Sequence, residues 1–320
     1  MGGDQAPAAI IDGARQAHDD LGIPVVLVGQ PEELVDAGLD VMVASEAIPM
    51  DADAGSSVRT MKDSSLVRAA EAVRDGRASA MVSAGNTGAT MASALLRMGR
   101  IKGVARPAIA TPIPVLDSSP TVLLDAGANA ECQPQWLVQF AQMGAVFARE
   151  RYGIDEPTVA LLSIGEEAGK GTPLVKEAHS LLVDGSALKA AGARFVGNVE
   201  GRDLMTTAAD VVVTDVFTGN VALKTLEGGL QALIGALLNA FSSSDEARAG
   251  AEMLMPALAT MYAHFDPDRT GGALLLGVNG VCVISHGSSS ATAVLNAIRV
   301  ASEMVEADIV GRLHEAVTGT

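Results

Sequence analysis

Aromatic residues are scarce. Phe, Trp and Tyr together make up 3% of the chain, although 48% of it is hydrophobic. A core must therefore be built from small aliphatic side chains, and 34 glycines among 320 residues suit many tight turns. That balance fits a closely packed α/β protein with short strand-to-helix connections, in one large or two moderate domains. Cysteine is nearly absent too. Cys132 and Cys282 lack metal-ligand spacing and read as reduced packing residues of a cytosolic protein. Basic residues are outnumbered, 22 Lys and Arg against 38 Asp and Glu, for a formal net charge of −16. Such a surface repels phosphate backbones and argues against general nucleic-acid binding. No secretory apolar region opens the chain. No apolar segment is expected to reach the roughly 20 residues of a spanning helix, so the protein reads as soluble or at most peripheral to a membrane. No Gly-x-Gly-x-x-Gly follows a strand candidate, which removes the dinucleotide fingerprint of a nicotinamide dehydrogenase.

What is present alternates short apolar runs with longer amphipathic stretches. Strands are expected at 23–29, 41–45, 79–83, 108–111, 121–125, 158–164, 194–197, 210–214 and 280–285. Continuous β-branched runs such as VVVT and TVALL fit strands covered on both faces, hence a mostly parallel sheet flanked by helices. Helical periodicity marks 64–75, 88–99, 134–150, 174–190, 220–240, 246–263 and 290–316. Within a single domain spanning 1–320, residues 220–263 stand apart: two helices face each other across Ser242, Ser243 and Ser244, with no charge from Gly228 to Ser244. An αα-hairpin projecting from the sheet is the natural reading. The opening MGGDQAP resembles a loop that follows a strand, which suggests that the chain starts downstream of one.

Several loops carry chemistry. GEEAGKGT at 165–172 follows an apolar strand, yet it is not a P-loop: three residues separate Gly165 from Gly169, and Lys170 is followed by Gly171. Lys170 is either a ligand-facing cation at a sheet edge or a solvated loop lysine. In SAGNTGA at 83–89, Asn86, Thr87 and Gly88 form the first turn of a helix, either an anion site or an N-cap with a tight turn. DAGANAEC (125–132, with Asn129), DVFTGNVALK (215–224, with Thr218, Gly219 and Asn220) and SHGSSS (285–290, with Ser288 and Ser289) repeat the strand–polar loop–helix pattern. Their convergence at one sheet edge is the expectation. His286 either binds an anion or transfers a proton there, or merely caps the helix. Asp125, Asp215 and Glu200 are unranked candidates for a general base, and no clustered spacing suggests a metal. Between Gly76 and Leu116 there is no acid, while Arg77, Arg97, Arg100, Lys102 and Arg106 fall within it. That strip either attracts an acidic partner or is a solvated helix end. Leu237, Leu238 and Phe241, near the hairpin tip, suit a dimer surface or a membrane interface.

Together these motifs resemble the phosphate acyltransferases of bacterial phospholipid synthesis, PlsX. The likeness runs through MGGD (1–4), MKDSS (61–65), SAGNTGA (83–89), GRIKGVARPA (99–108), DAGAN (125–129), QFAQMG (139–144) and IGEEAGKG (164–171). It continues through FVGNVEGRDL (195–204), DVFTGNVALKTLEG (215–228), GGALLLGV (271–278) and SHGSSSATAVLNAI (285–298), essentially the whole chain in order. The resemblance implies a Rossmann-like α/β/α fold related to phosphotransacetylases and to the isocitrate and isopropylmalate dehydrogenases, a homodimer, and no metal or nucleotide cofactor. It implies transfer of a fatty acyl group from acyl carrier protein to inorganic phosphate at the inner membrane face, upstream of a glycerol-3-phosphate acyltransferase. Lys170, His286 and Asn220 are then catalytic candidates, with phosphate or substrate held by Asn86, Thr87, Gly88, Asn129, Thr218, Gly219, Ser288 and Ser289. Arg97, Arg100, Lys102 and Arg106 become the docking candidates for the acidic carrier. The chain departs from the family pattern in three ways: an opening strand expected before MGGD, Gln5 in place of a histidine, and Val216 in place of a glycine. A coenzyme A-dependent phosphotransacetylase and an inactive peripheral scaffold are the rival readings.

Overall fold

The structure, a computed structural model, describes residues 2–319. The chain opens with helix α1 (Ala8–Leu21), strands β1 (Val26–Gly29) and β2 (Asp40–Val43), and helices α2 (Ala54–Thr60) and α3 (Ser65–Arg74). Then come β3 (Ala80–Ser83), α4 (Thr87–Arg97), β4 (Ala108–Ile113), β5 (Thr121–Leu124), α5 (Pro134–Tyr152), β6 (Thr158–Leu162) and α6 (Pro173–Leu182). After β7 (Arg194–Val199) and β8 (Val211–Val213) follow α7 (Val216–Phe241), α8 (Asp245–Phe265) and α9 (Pro267–Thr270). The chain ends with β9 (Ala273–Leu276), β10 (Val281–Ile284), α10 (Ala291–Glu306) and α11 (Ile309–Thr318).

Eight strands form one sheet in the order β3-β10-β9-β4-β5-β8-β6-β7, while β1 and β2 make a separate parallel pair. Pairing is parallel for β3–β10, β5–β8, β8–β6 and β6–β7. It is antiparallel at β10–β9, β9–β4 and β4–β5. The three successive reversals divide the sheet. β3, β10 and β4 run one way; β9, β5, β8, β6 and β7 run the other.

The expected β-branched runs are strands because helices cover both of their faces: β5, β8 and β10 are buried throughout. Leu137, Phe140, Met143 and Phe147 of α5 pack into the largest core cluster with Leu124, Leu161 and Val211. Each such side chain contributes about 1.5–3 kcal/mol by leaving water. Gly144 allows the close approach, since a Cβ there would lie 2.6 Å from Val211 Cγ1. Two helical expectations are corrected. The stretch 290–316 is two helices, broken where Asp308 adopts φ 49, and 174–190 ends as a helix at Leu182, with Gly185 at φ 73 turning the chain.

The expectation that no segment is long enough to span a membrane is also corrected. α7 has 26 residues, mean hydropathy 1.3 over its most apolar window, and nothing in that window buried. Its length, about 39 Å at 1.5 Å per residue, suffices to cross a bilayer core. The charge-free run beginning at Gly228 looks shorter because Lys224 and Glu227, paired at 2.8 Å, lie inside the same helix. α7 starts because the Asp215 side chain caps it, accepting from Thr218 N, and it ends in the serine turn whose Ser244 caps α8. Ala222, Leu223 and Leu226 seat its first half against Ile113, Leu162 and Val199. Beyond Leu226 no α7 side chain is buried. At the base of α8, His264 Nε2 lies 2.7 Å from Val115 O.

Between β1 and β3 runs a slot of about 640 Å3, lined by Leu27, Val28, Met81, Val82, Val294 and Ile298, with Gly3 also in its wall. Among the described residues, β1 pairs only with β2 and β3 only with β10, so each strand has an unpaired edge.

Candidate functional site

The polar loops do not gather at one sheet edge, which corrects that expectation. Because the two halves of the sheet run in opposite directions, the loops after β3 and β10 leave one edge, here called the upper. Those after β5, β6 and β8 leave the lower edge.

At the upper edge the SHGSSS loop meets segments far away in sequence. Asp4 N donates to Gly287 O at 2.8 Å, and Gln5 Nε2 donates to Ser288 O at 3.1 Å. Gly3 fits tightly: a Cβ there would lie 2.9 Å from Ala84 O and 3.3 Å from Gly287 O, so the opening loop bridges the ends of β3 and β10. Ser289 Oγ pairs with Ser285 Oγ at 2.7 Å, and Ser290 Oγ donates to Asp268 Oδ2 at 2.5 Å. Asn86 is a clamp, not a free ligand. Its Nδ2 donates to the carbonyls of Pro49, Met50 and Ala52, and its Oδ1 caps α4 through Ala89 N. The first-turn N–H groups of Thr87 and Gly88 have no acceptor within the helix and are the donors that α4 offers. His286 and Ser288 are exposed. His286 Nε2 lies 3.9 Å from Glu227 Oε1 on α7.

The lower edge is organised around Asp125, which is completely buried. Its Oδ1 accepts from the N–H groups of Ile109, Gly127 and Ala128, and its Oδ2 from Ala128 N, Asn129 N and Asn129 Nδ2. A carboxylate so enclosed holds a loop together and is not a base for substrate. Asn129 Nδ2 also donates to Pro107 O, and Asn220 Nδ2 donates to Ala126 O. Gly219 is required here, because a Cβ would strike Asp125 O and Thr214 Cγ2. Thr218 Oγ1 donates to Asp215 Oδ2, while Glu200 takes part in a capping box with Asp203 and pairs with Arg202 at 3.1 Å. Asp215 and Glu200 therefore also do structural work. Cys132 is half-buried beside them; burial first, then the Asp125 charge, pushes its thiol up to about 11. The Val216 N–H, at the start of α7, is directed at that sulfur.

Lys170 is exposed, with its backbone N–H on Glu167 O at 2.9 Å and its Cγ against Gly165. Among the described residues no hydrogen bond or ion pair joins its loop to the His286 loop. α7 runs from one edge to the other: Asp215, Thr218 and Asn220 lie at its lower end, and Glu227, near His286, at the upper. Sequence reasoning missed Glu227, Asp4 and Asp268, since their meetings with His286, Gly287 and Ser290 are set by the fold and carry no local spacing signal, and with Glu227 it missed its partner Lys224.

The basic strip is smaller than expected. Arg97 turns toward Glu71, with its Nε 3.7 Å from Glu71 Oε1, a carboxylate that Arg68 and Arg74 also approach. It is excluded from a docking face. Arg100 holds Ala105 O, Arg106 lies over the Trp136 ring at 4.9 Å, and all three of Arg100, Lys102 and Arg106 are exposed. Asp63 of the MKDSS motif is structural: the Ser45 hydroxyl, then Arg68, hold its carboxyl below the usual range. Leu237 and Leu238 are 37% and 55% exposed, and Met253, across the hairpin on α8, is 84% exposed. Among the described residues no group of three or more His, Cys, Asp or Glu side chains is placed to hold a metal ion.

Comparison with known proteins was made against this geometry. A family model described as "Fatty acid synthesis protein" matches residues 1–312. The phosphate acyltransferase of Elusimicrobium minutum is 47% identical, over 99% of this chain and 94% of its own length. That of Heliobacterium modesticaldum is 45% identical over 100% and 96%. Among solved structures, a branched-chain phosphotransacylase from Enterococcus faecalis superposes with a TM-score of 0.61 at 16% identity, covering 95% of this chain and 96% of its own. A phosphotransacetylase from Streptococcus pyogenes gives 0.57 at 17% identity, covering 98% and 92%. At such identities the structural likeness establishes the fold: a Rossmann-like α/β architecture of the phosphotransacetylase type, with a mostly parallel central sheet.

Proposed function

We propose, for a chain that belongs to the phosphate acyltransferase (PlsX) family, that its reaction is transfer of a long-chain acyl group from acyl carrier protein to inorganic phosphate. A phosphate oxygen attacks the thioester carbonyl, the C–S bond breaks, and acyl phosphate and the carrier thiol leave. Phosphate is already nucleophilic and a thioester already activated, so the enzyme needs only to align the two and stabilise charge. One observation carries this reading: the loops that lead into α4 and α10 leave adjacent strand ends and both lie against Gly3, with His286 and Ser288 exposed there. Helix N-termini of this kind favour an anion. The catalytic assignment therefore centres on His286, with Thr87, Gly88, Ser288 and Ser289 around it. Asn129, Thr218, Gly219 and Asn220 support the opposite edge. Lys170 lies on that lower edge too, separated from His286 by strands of three to six residues, which span about 10–20 Å.

Acyl carrier protein is acidic, which suits Arg100, Lys102 and Arg106 as its docking face. The apolar hairpin around Leu237, Leu238 and Phe241 suits peripheral attachment to the inner membrane surface, a homodimer contact, or both. Attachment there would keep the cytoplasmic enzyme beside the acyltransferase that passes acyl phosphate to glycerol 3-phosphate in phospholipid synthesis. The test is acyl-phosphate formation from palmitoyl-acyl carrier protein and phosphate, with His286→Ala and Lys170→Ala in parallel. Turnover by the parent, lost about a hundredfold in His286→Ala, supports the upper-edge site; loss of one oxyanion donor has that scale. Loss only in Lys170→Ala moves the chemistry to the lower edge. A folded protein that makes no acyl phosphate, or that prefers palmitoyl-coenzyme A, refutes the proposal.

A further inference from the structure

α7 leaves the lower edge at Asp215 and presents Glu227 to His286 about 18 Å further along its axis. Ala222, Leu223 and Leu226 form the face that seats the helix, and Glu227 is the first residue after it. Its two oxygens face different side chains. Oε2 takes Lys224 Nζ at 2.8 Å, and Oε1 lies 3.9 Å from His286 Nε2. Glu227 is 36% exposed, against 50% for Lys224 and 65% for His286, so it is the most sheltered of the three. At 3.9 Å the carboxylate is within ion-pair range of the imidazole without a direct hydrogen bond, and it favours the ring orientation that turns Nε2 toward it.

Resting on the phosphate-site reading above, we propose that Glu227 is a positioning residue: its carboxylate holds His286 and Lys224 together as paired donors for the phosphate nucleophile. Lys224 thereby enters the site as a cation beside the imidazole donor, which a dianionic substrate needs. Glu227 itself does not touch the reacting atoms. Its removal frees the imidazole to rotate and the lysine to swing into solvent, so the loss falls on phosphate binding. The KM for the acyl donor is not expected to change.

The experiment is steady-state kinetics on the whole chain, varying inorganic phosphate and acyl donor separately. The variants are Glu227→Ala, Glu227→Gln, His286→Ala and the double variant, each checked for an unchanged thermal midpoint. Glu227→Ala is expected to raise the phosphate KM about tenfold with the acyl-donor KM constant. Glu227→Gln, which keeps an acceptor oxygen but not the charge, falls between it and the parent. In the His286→Ala background, Glu227→Ala adds no more than about threefold, the share carried through Lys224. Equal rises in both KM values, or full additivity in the double variant, overturn the proposal. If His286→Ala raises the phosphate KM and Glu227→Ala does not, only the positioning role falls. If His286→Ala leaves the phosphate KM unchanged, the phosphate site is misplaced and both readings fall.

Discussion

Replacing Asp125 by Asn changes a single atom, yet it should cost several kcal/mol. The buried carboxylate accepts from Ile109, Gly127, Ala128 and Asn129 backbone N–H groups and from Asn129 Nδ2. An amide offers one oxygen and one NH2 group. If the NH2 takes the place of Oδ2, Asn129 N and Asn129 Nδ2 lose their acceptor; if it takes the place of Oδ1, Ile109 N and Gly127 N lose theirs. Ala128 N reaches both oxygens and is spared in either case. Two donors are therefore orphaned whichever way the amide turns, at about 1–3 kcal/mol each. The sum, about 2–6 kcal/mol, is a large part of a typical total stability of 5–15 kcal/mol. Urea unfolding measures it directly, and the single Trp136, near the start of α5 and under Arg106, gives a local fluorescence signal. The Asn129 side chain also grips Pro107 O, so Trp136 emission should shift in the native baseline as the loop loosens. A loss below about 0.5 kcal/mol, the usual range of a surface substitution, would refute the claim that this carboxylate organises the lower edge.

Charge reversal of Arg100, Lys102 and Arg106 together should raise the KM for acyl carrier protein substrates at least tenfold and leave that for acyl-coenzyme A unchanged; parallel changes would remove the docking face. Leu238→Asp with Phe241→Asp should abolish sedimentation with anionic vesicles while acyl transfer in solution continues, and retained sedimentation would free the tip from that role. Stability should fall as pH rises above about 9. The thiols of Cys132 and Cys282, pushed up by burial to about 11 and about 12, stay protonated when folded but ionise when unfolded, near 9.0. Their raised folded values stabilise fully below pH 9 and progressively less up to about pH 11 for Cys132 and about pH 12 for Cys282. The drop in urea midpoint over that window should be smaller in Cys132→Ser, and an identical profile would contradict the assignment. Gly144→Ala should destabilise by about 1–3 kcal/mol through overpacking against Val211 and Leu124, measured by the same titration.

The sequence was most informative where a pattern is local. The runs TVLL, TVALL and VVV are strands because β-branched and leucine side chains tolerate burial on both faces. The helix starts at Asn86, Thr172, Asp215, Ser244 and Ser290 follow from side chains that accept a first-turn N–H. Strand direction was not legible. β9, between Gly272 and Gly277, is an unalternating ALLL run that gives no sign of its antiparallel pairing on both sides. It is one of the reversals that place Lys170 and His286 at opposite edges. Arg97 also misled: its position in an acid-free stretch suggested a free cation, whereas Glu71, 26 positions earlier, claims it across the α3–α4 contact. The Glu227–His286 meeting joins residues 59 positions apart and leaves no trace in either motif.

In a doubly wound sheet whose strands all run alike, every following helix points its positive end the same way, and the peptide dipoles add. Here α4 and α10 point one way while α5, α6 and α7, which follow oppositely directed strands, point the other. The two sets oppose one another, and the field felt at a distance is dominated by the −16 side-chain charge. An anion approaching either edge feels that repulsion mainly within about a Debye length, roughly 8 Å at physiological salt, and is attracted only at the contact range of the helix N-termini. Moderate salt should therefore speed the encounter of this chain with small anions, the reverse of the usual electrostatic steering.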